Sequence, residues 1–209
     1  FAKGEYDIMI GTQMVAKGLN FPNVTLVGVV SVDQQLYNDD FRSLERTFSL
    51  LTQVVGRAGR GEFEGTAVIQ TLTPENEIIR LAAKQDYDEF FKTEIVLRKA
   101  LVYPPYCDLC VIGFVGSNES SVRMASNRTL ELIRDYTNGE YKGEKIITLG
   151  PMPARVAKIS GKYRYRLIVK CRNTKRFRQM ISKILVEMGT DNRFSSVTTF
   201  ADINPESTV

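Results

Sequence analysis

The sequence predicts an α/β chain built in two parts, a fragment of a parallel sheet followed by a smaller α+β domain. Three observations lead there. Short apolar runs in the first half are near-continuously hydrophobic rather than alternating, as in strands buried on both faces. Strand and helix periods alternate along the second half. The charge balance also breaks in the middle: residues 1–103 hold 11 Lys/Arg against 14 Asp/Glu, a net −3, and residues 104–209 hold 17 against 10, a net +7. Such asymmetry between halves indicates two domains, 1–103 and 104–209, the second facing an anionic partner.

The apolar runs of the first half are 6–12 (YDIMIGT), 24–33 (VTLVGVVSVD) and 66–72 (TAVIQTL). Between the last two, Phe41, Leu44, Phe48, Leu51 and Val55 recur at three- and four-residue steps, predicting a helix over 39–55 with one buried stripe. Asn38 or Asp39 is the candidate cap, and Gly56, Gly59 and Gly61 end the helix. Strand–helix–strand order implies a doubly wound sheet with functional groups at the strand C-termini. Residues 74–101 read as one or two connecting helices, with Ile78, Leu81, Ala82, Phe90 and Leu97 buried, stopped by Pro104-Pro105.

The second half reads strand 108–116, helix 119–137, strand 145–151, strand 163–171, helix 174–188, strand 195–203. That βαββαβ order is a ferredoxin-like split-βαβ arrangement. From Arg155 to Lys183 there are eleven Lys/Arg and no Asp or Glu. Along the third strand Lys162, Arg164, Arg166, Lys170 and Arg172 share one parity, and Tyr163, Tyr165, Leu167, Val169 and Cys171 the other. Period-two geometry therefore separates a cationic face from an apolar one. With Arg155 and Lys158 these cations are candidates for sequence-blind contact with nucleic-acid phosphates; the alternative is a merely solvated sheet face.

Histidine is absent, which removes the commonest neutral-pH acid/base and zinc ligand. Cys107, Cys110 and Cys171 make neither a disulfide framework nor a metal quartet, and they read as small buried hydrophobes in a reducing, cytoplasmic compartment. Composition is that of a soluble globular protein, with no apolar run long enough to span a bilayer. The opening residues carry no Met start, so the chain is expected to be a piece of something longer.

Two segments carry more specific chemistry. Arg57 and Arg60 sit three apart at a helix end among glycines, on one side of the helix, where both can reach one anionic ligand. The alternative is a solvated helix C-terminus stabilised by its dipole. The stretch Gln53-Val54-Val55-Gly56-Arg57-Ala58-Gly59-Arg60 resembles helicase motif VI of superfamily 2, and GTQMVAKGLNFPNVTLV from Gly11 resembles motif V. The wording is closest to the primosomal protein N′ (PriA) family of replication-restart DNA helicases, and the resemblance continues through Tyr103-Pro104-Pro105 and Leu149-Gly150-Pro151.

That resemblance implies an incomplete RecA-like helicase lobe 2, carrying half of an ATP site. Arg60 takes the role of arginine finger toward the γ-phosphate. Arg57 contacts the same phosphate or the carboxylates of the other lobe, and Gln53 organises the cleft. Thr12, Gln13 and Lys17 touch the DNA backbone, while Gly18 and Asn20 lie near the nucleotide. Asn20 departs from the Asp common there. No G-x-x-x-x-G-K-[ST] loop and no DExH box is present, so the chain is expected not to hydrolyse ATP alone. The resemblance further implies ATP and Mg²⁺ in the parent protein, zinc upstream rather than here, 3′→5′ unwinding, forked or branched DNA as partner, and single-stranded-DNA-binding and primosome proteins as further partners. The competing reading is a non-enzymatic nucleic-acid-binding or scaffold module.

Overall fold

The structure, a computed structural model, describes residues 1, 3, 5–12, 24–56 and 65–208. They form a mixed α/β protein with one parallel and one antiparallel sheet. The chain divides into two compact units, Phe1–Val96 and Leu97–Val209.

In the first unit β1 (Leu26–Val29) pairs in parallel with β2 (Thr66–Ile69), Leu26 opposite Thr66 and Val29 opposite Ile69. Between them come the single-turn helix α1 (Asp33–Leu36) and α2 (Ser43–Val55); after them α3 (Glu77–Lys84) and α4 (Tyr87–Leu101). The Asp33 carboxylate ties the sheet ends together, accepting from Thr71 Oγ1 at 2.9 Å and from the Leu72 amide. Asn76 caps α3 by accepting from the Ile78 amide at 2.9 Å, and Gln85 closes it in the left-handed region. The core joins Val32, Leu36, Phe48, Leu51, Ile79, Ala82 and Phe90, with the Phe48 and Phe90 rings stacked at 4.2 Å.

Several expectations for this unit are corrected. Residues 6–12 form no strand, and Tyr6, Ile8 and Ile10 are exposed. β1 and β2 are shorter than expected and alternate between exposed and half-buried positions. An apolar run states what burial a strand needs; it does not supply the neighbouring strand. The helix expected over 39–55 starts at Ser43, because the Asp40 carboxylate accepts from the Arg42 amide and Ser43 Oγ donates to the Asp40 carbonyl, making a turn of the preceding residues. Ser43 and Thr47 join the buried stripe. Leu97 is 42% exposed, unlike Ile78, Leu81, Ala82 and Phe90, which are buried.

The second unit holds β3 (Asp108–Gly116), α5 (Glu119–Asn138), β4 (Ile147–Ile159), β5 (Lys162–Cys171), α6 (Lys175–Thr190), a 3-10 turn (Asn192–Phe194) and β6 (Val197–Ile203). The sheet order is β4-β5-β3-β6, every neighbour antiparallel. Both helices start at side-chain caps. Asn118 accepts from the Ser121 amide at 3.0 Å, and Thr174 accepts from the Phe177 amide at 2.9 Å. Both pack on the same sheet face: Val122, Ala125 and Leu132 of α5 and Phe177, Met180 and Ile184 of α6 meet Cys110, Ile112, Phe114, Leu167 and Val169. Full burial of side chains of this size stabilises by about 1.5–3 kcal/mol each.

β4 runs on to Ile159, well past the expected end at residue 151. Residues 154–157 bulge from the ladder, standing opposite Arg164 alone between the pairs Pro153–Tyr165 and Lys158–Tyr163. The hairpin then turns through Ser160 and Gly161, with φ of 49° and 78°. Two successive positive φ values are what a tight hairpin turn matching the strand twist requires, and glycine adopts one without strain.

Candidate nucleic-acid interface

The parity expected along β5 holds for its apolar half. Leu167, Val169 and Cys171 enter the core beneath the two helices, and Tyr163 and Tyr165 pack at its edge. Tyr165 Oη donates to the Glu119 carboxylate at 3.1 Å; burial, then that carboxylate, push the phenol pKa up.

The cationic half is corrected at two positions. Arg166 and Lys170 are buried, at 5% and 7% exposure. The Arg166 guanidinium donates to the Thr208 carbonyl. Lys170 Nζ donates to the Leu101 carbonyl at 2.6 Å and lies over the Tyr103 ring. Burial lowers the Lys170 pKa. The sheet face opposite the helices is thus crossed by chain from both ends of the unit, and a cavity of about 140 Å³ remains there, bordered by Arg164, Phe200, Asp202 and Pro205. A signal for this cover was available. Leu109 and Ile168 share the cationic face and are themselves buried, and apolar residues on both faces of a strand call for cover on both sides.

What stays at the surface lies at the two ends of β5. Arg155, Lys158 and Lys162 are exposed around the hairpin tip, with Arg164 half-buried beside them. Arg172 is exposed past the other end, followed by Lys175 and Arg178 at the start of α6. Ten residues at ~3.3 Å each separate the two groups by roughly 30 Å. Lys158 Nζ sits 4.4 Å from the Tyr163 ring centroid and donates to its hydroxyl at 3.2 Å, which orients the ammonium along the hairpin. Sequence reasoning missed Val156 and Ile159, both exposed at this tip, because residues 152–162 carried no strand assignment. The Ser160-Gly161 pair, a turn signal, pointed to them.

Of the first-unit candidates, Thr12 is exposed outside regular structure, and Gln53 is exposed on α2 with its amide donating to Ser49 Oγ at 3.3 Å. Gln13, Lys17, Gly18, Asn20, Arg57 and Arg60 lie outside the described residues. All three cysteines are buried, and burial pushes the Cys110 and Cys171 thiols up to about 12. Among the described residues no cluster of three or more His, Cys, Asp or Glu is placed to hold a metal, and no helix is long and apolar enough to cross a membrane.

Comparison with known proteins gives the setting. Residues 1–62 match the helicase conserved C-terminal domain, and residues 99–205 match the primosomal protein N C-terminal domain. The replication restart protein PriA of Bacillus subtilis is 38% identical over 98% of this chain and 25% of its own length. That of Synechocystis is 41% identical over 81% of this chain and 20% of its own, and that of Chlamydia muridarum 38% identical over 100% and 27%. The chain therefore spans about a quarter of the length of these relatives. Among solved structures, the designed protein Foldit4 aligns over 47% of this chain and 97% of its own at 13% identity and a TM-score of 0.34, a likeness on which nothing here rests. With its second unit matched nearly end to end and relatives 38–41% identical over 81–100% of its length, the chain belongs to the primosomal protein N family.

Proposed function

We propose that the chain is the C-terminal part of an ATP-dependent 3′→5′ DNA helicase that recognises stalled or branched replication forks and promotes primosome assembly in the cytoplasm. Residues 1–103 read as part of a RecA-like second helicase lobe, supported by the helicase-domain match over 1–62. Residues 104–209 read as a basic ferredoxin-like domain, supported by the strand order β4-β5-β3-β6 and the two helices on one face.

The observation that carries the reading is the group of exposed cations that the stretch from Arg155 to Lys183, itself without Asp or Glu, places on the second unit. Arg155, Lys158, Lys162 and Arg172 are exposed, and the glutamates that pair with this stretch, Glu144 with Arg176 and Glu140 with Lys183, engage other cations. Such a surface binds phosphates without reading bases, which suits recognition of fork shape over sequence. In the first unit, Gln53, Arg57 and Arg60, with Gly18 and Asn20, would form the far edge of an ATP site whose phosphate loop and Mg²⁺ carboxylates belong to another lobe. There an arginine would stabilise the charge that develops on the transferred phosphoryl group. Thr12, Gln13 and Lys17 would meet the DNA backbone. Single-stranded-DNA-binding protein and other primosome proteins are the further partners of this reading.

Salt titration of fork-DNA binding by the 209-residue chain tests it. We expect log K to fall linearly with log salt, by about 0.9 per phosphate neutralised; a flat line removes the nucleic-acid role. ATP turnover by the same chain, sensitive to Arg60→Ala, would overturn the assignment of a half site. A second reading, a binding module independent of nucleotide, is favoured by the separate hydrophobic core of the second unit. It predicts the same DNA affinity when ATP and the other lobe are supplied.

A further inference from the structure

We propose that the tip of the β4–β5 hairpin, residues 155–162, senses where a nucleic-acid duplex opens, with Ile159 and Val156 packing against unstacked bases and Arg155, Lys158 and Lys162 holding the adjacent phosphates. The inference rests on the DNA-binding reading above and names the part of that surface that sets preference.

Four observations converge on this tip. Residues 155–162 are all exposed. They lie beyond the support of the neighbouring strand, since β3 pairs with β5 only as far as Tyr163 opposite Gly116. Val156 and Ile159 are 52% and 46% exposed, on the edge strand of the sheet, where burial within this unit does not account for them. The tip is also stiffened. Its turn is a two-residue hairpin with both φ positive, and Lys158 is held against Tyr163 by ring contact and hydrogen bond.

Charge complementarity selects the occupant. Cations interleave with the two apolar side chains, and no carboxylate lies in the segment. A polyanion with apolar faces between its charges fits that pattern, which describes nucleic acid with exposed bases. Paired, stacked bases hide their faces, whereas a fork or junction offers them at the branch. Rigid apolar side chains that enter between base steps are a recurrent way for proteins to unstack and hold such steps. Two small aliphatic side chains are too little apolar area to anchor the tip in a bilayer, where each buried CH₂ contributes only ~0.8 kcal/mol. The register decides the division of labour. Ile159 pairs with Lys162 across the turn, so an apolar and a cationic side chain leave the same end of the hairpin together.

The test compares Val156→Thr/Ile159→Thr with Lys158→Ala/Lys162→Ala in the 209-residue chain. Threonine keeps the β-branched shape that the strand favours while removing apolar surface, and thermal unfolding checks that the fold is retained. Affinities for a forked DNA and for a continuous duplex of equal charge are measured across a salt series. We expect the threonine pair to lose the preference for fork over duplex by roughly tenfold, the order expected when two apolar contacts are removed, with the salt slope unchanged. The alanine pair should weaken both DNAs and flatten the slope. An unchanged fork preference in the threonine pair overturns the inference while leaving the DNA-binding reading intact. Equal losses on fork and duplex overturn it likewise. No salt-dependent DNA binding by the parent chain overturns both, and binding of the tip to anionic vesicles in preference to DNA overturns the choice of occupant.

Discussion

Lys170 Nζ stands 3.6 Å from the centroid of the Tyr103 ring, so a lysine from the middle of the basic stretch spends its charge inside the protein. The same nitrogen donates to the Leu101 carbonyl. Position in a cationic sequence run and availability to a phosphate are therefore separate properties.

Lys170→Met should leave the salt slope of DNA binding unchanged, whereas Lys162→Ala should lower it by about 0.9, the value for one phosphate contact. Methionine keeps the volume of the buried stem but leaves the Leu101 carbonyl without this donor, so stability should fall by about 1–3 kcal/mol. A fall in slope for Lys170→Met would return Lys170 to the interface.

Alkaline pH should destabilise the second unit through its thiols. Cys110 and Cys171 titrate near 12 in the folded protein and near 8.5 when unfolded. Their raised values contribute stability that is complete below the unfolded pKa and is lost as pH rises from about 8.5 through 12. Lys170 acts in the opposite sense. Its lowered folded pKa makes the unfolded chain bind more protons, so stability rises with pH between that value and about 10.4. Urea midpoints across this range should fall more shallowly in Cys110→Ala, which starts less stable near neutral pH, and more steeply in Lys170→Met, which lacks the opposing lysine.

Gly113 is kept free of a side chain by Phe200. The two pair across β3 and β6, and a Cβ on Gly113 would stand 2.3 Å from the Phe200 ring. The half-exposed ring covers the glycine, an arrangement that compensates for a strand glycine. Gly113→Ala should cost about 1 kcal/mol, the low end of overpacking, because the clash is with the far end of an exposed ring that can move aside. Combining it with Phe200→Ala should cost less than the sum of the two single changes, and a double-mutant cycle in denaturant measures the difference.

Thr174→Ala and Asn118→Ala should each destabilise by about 1 kcal/mol, because each removes the side-chain acceptor at a helix N-terminus. The two caps lie on different helices, so the losses should add in urea unfolding. Serine at position 174 should restore the first.

The sequence alone determined the second unit's elements in order and type, because their signals are local. β3 spans Asp108–Gly116 as its apolar run predicts, α5 and α6 start beside the Asn118 and Thr174 caps, and period-two geometry sends Leu167, Val169 and Cys171 into the core. The motif wording around Gly11 and Gln53 determined the family for the same reason, since motifs are contiguous. Tertiary structure decided what lies over each face. Arg166 and Lys170 have the same parity as Arg164 and Arg172, yet Arg166 is covered by chain 42 residues away at Thr208 and Lys170 by chain 69 residues away at Leu101. Side-chain alternation fixes only the side of the sheet on which a residue lies. Whether that side meets water depends on distant segments folding back across it; Ile168, apolar and buried on the cationic side of β5, signals that cover exists but not which segments supply it.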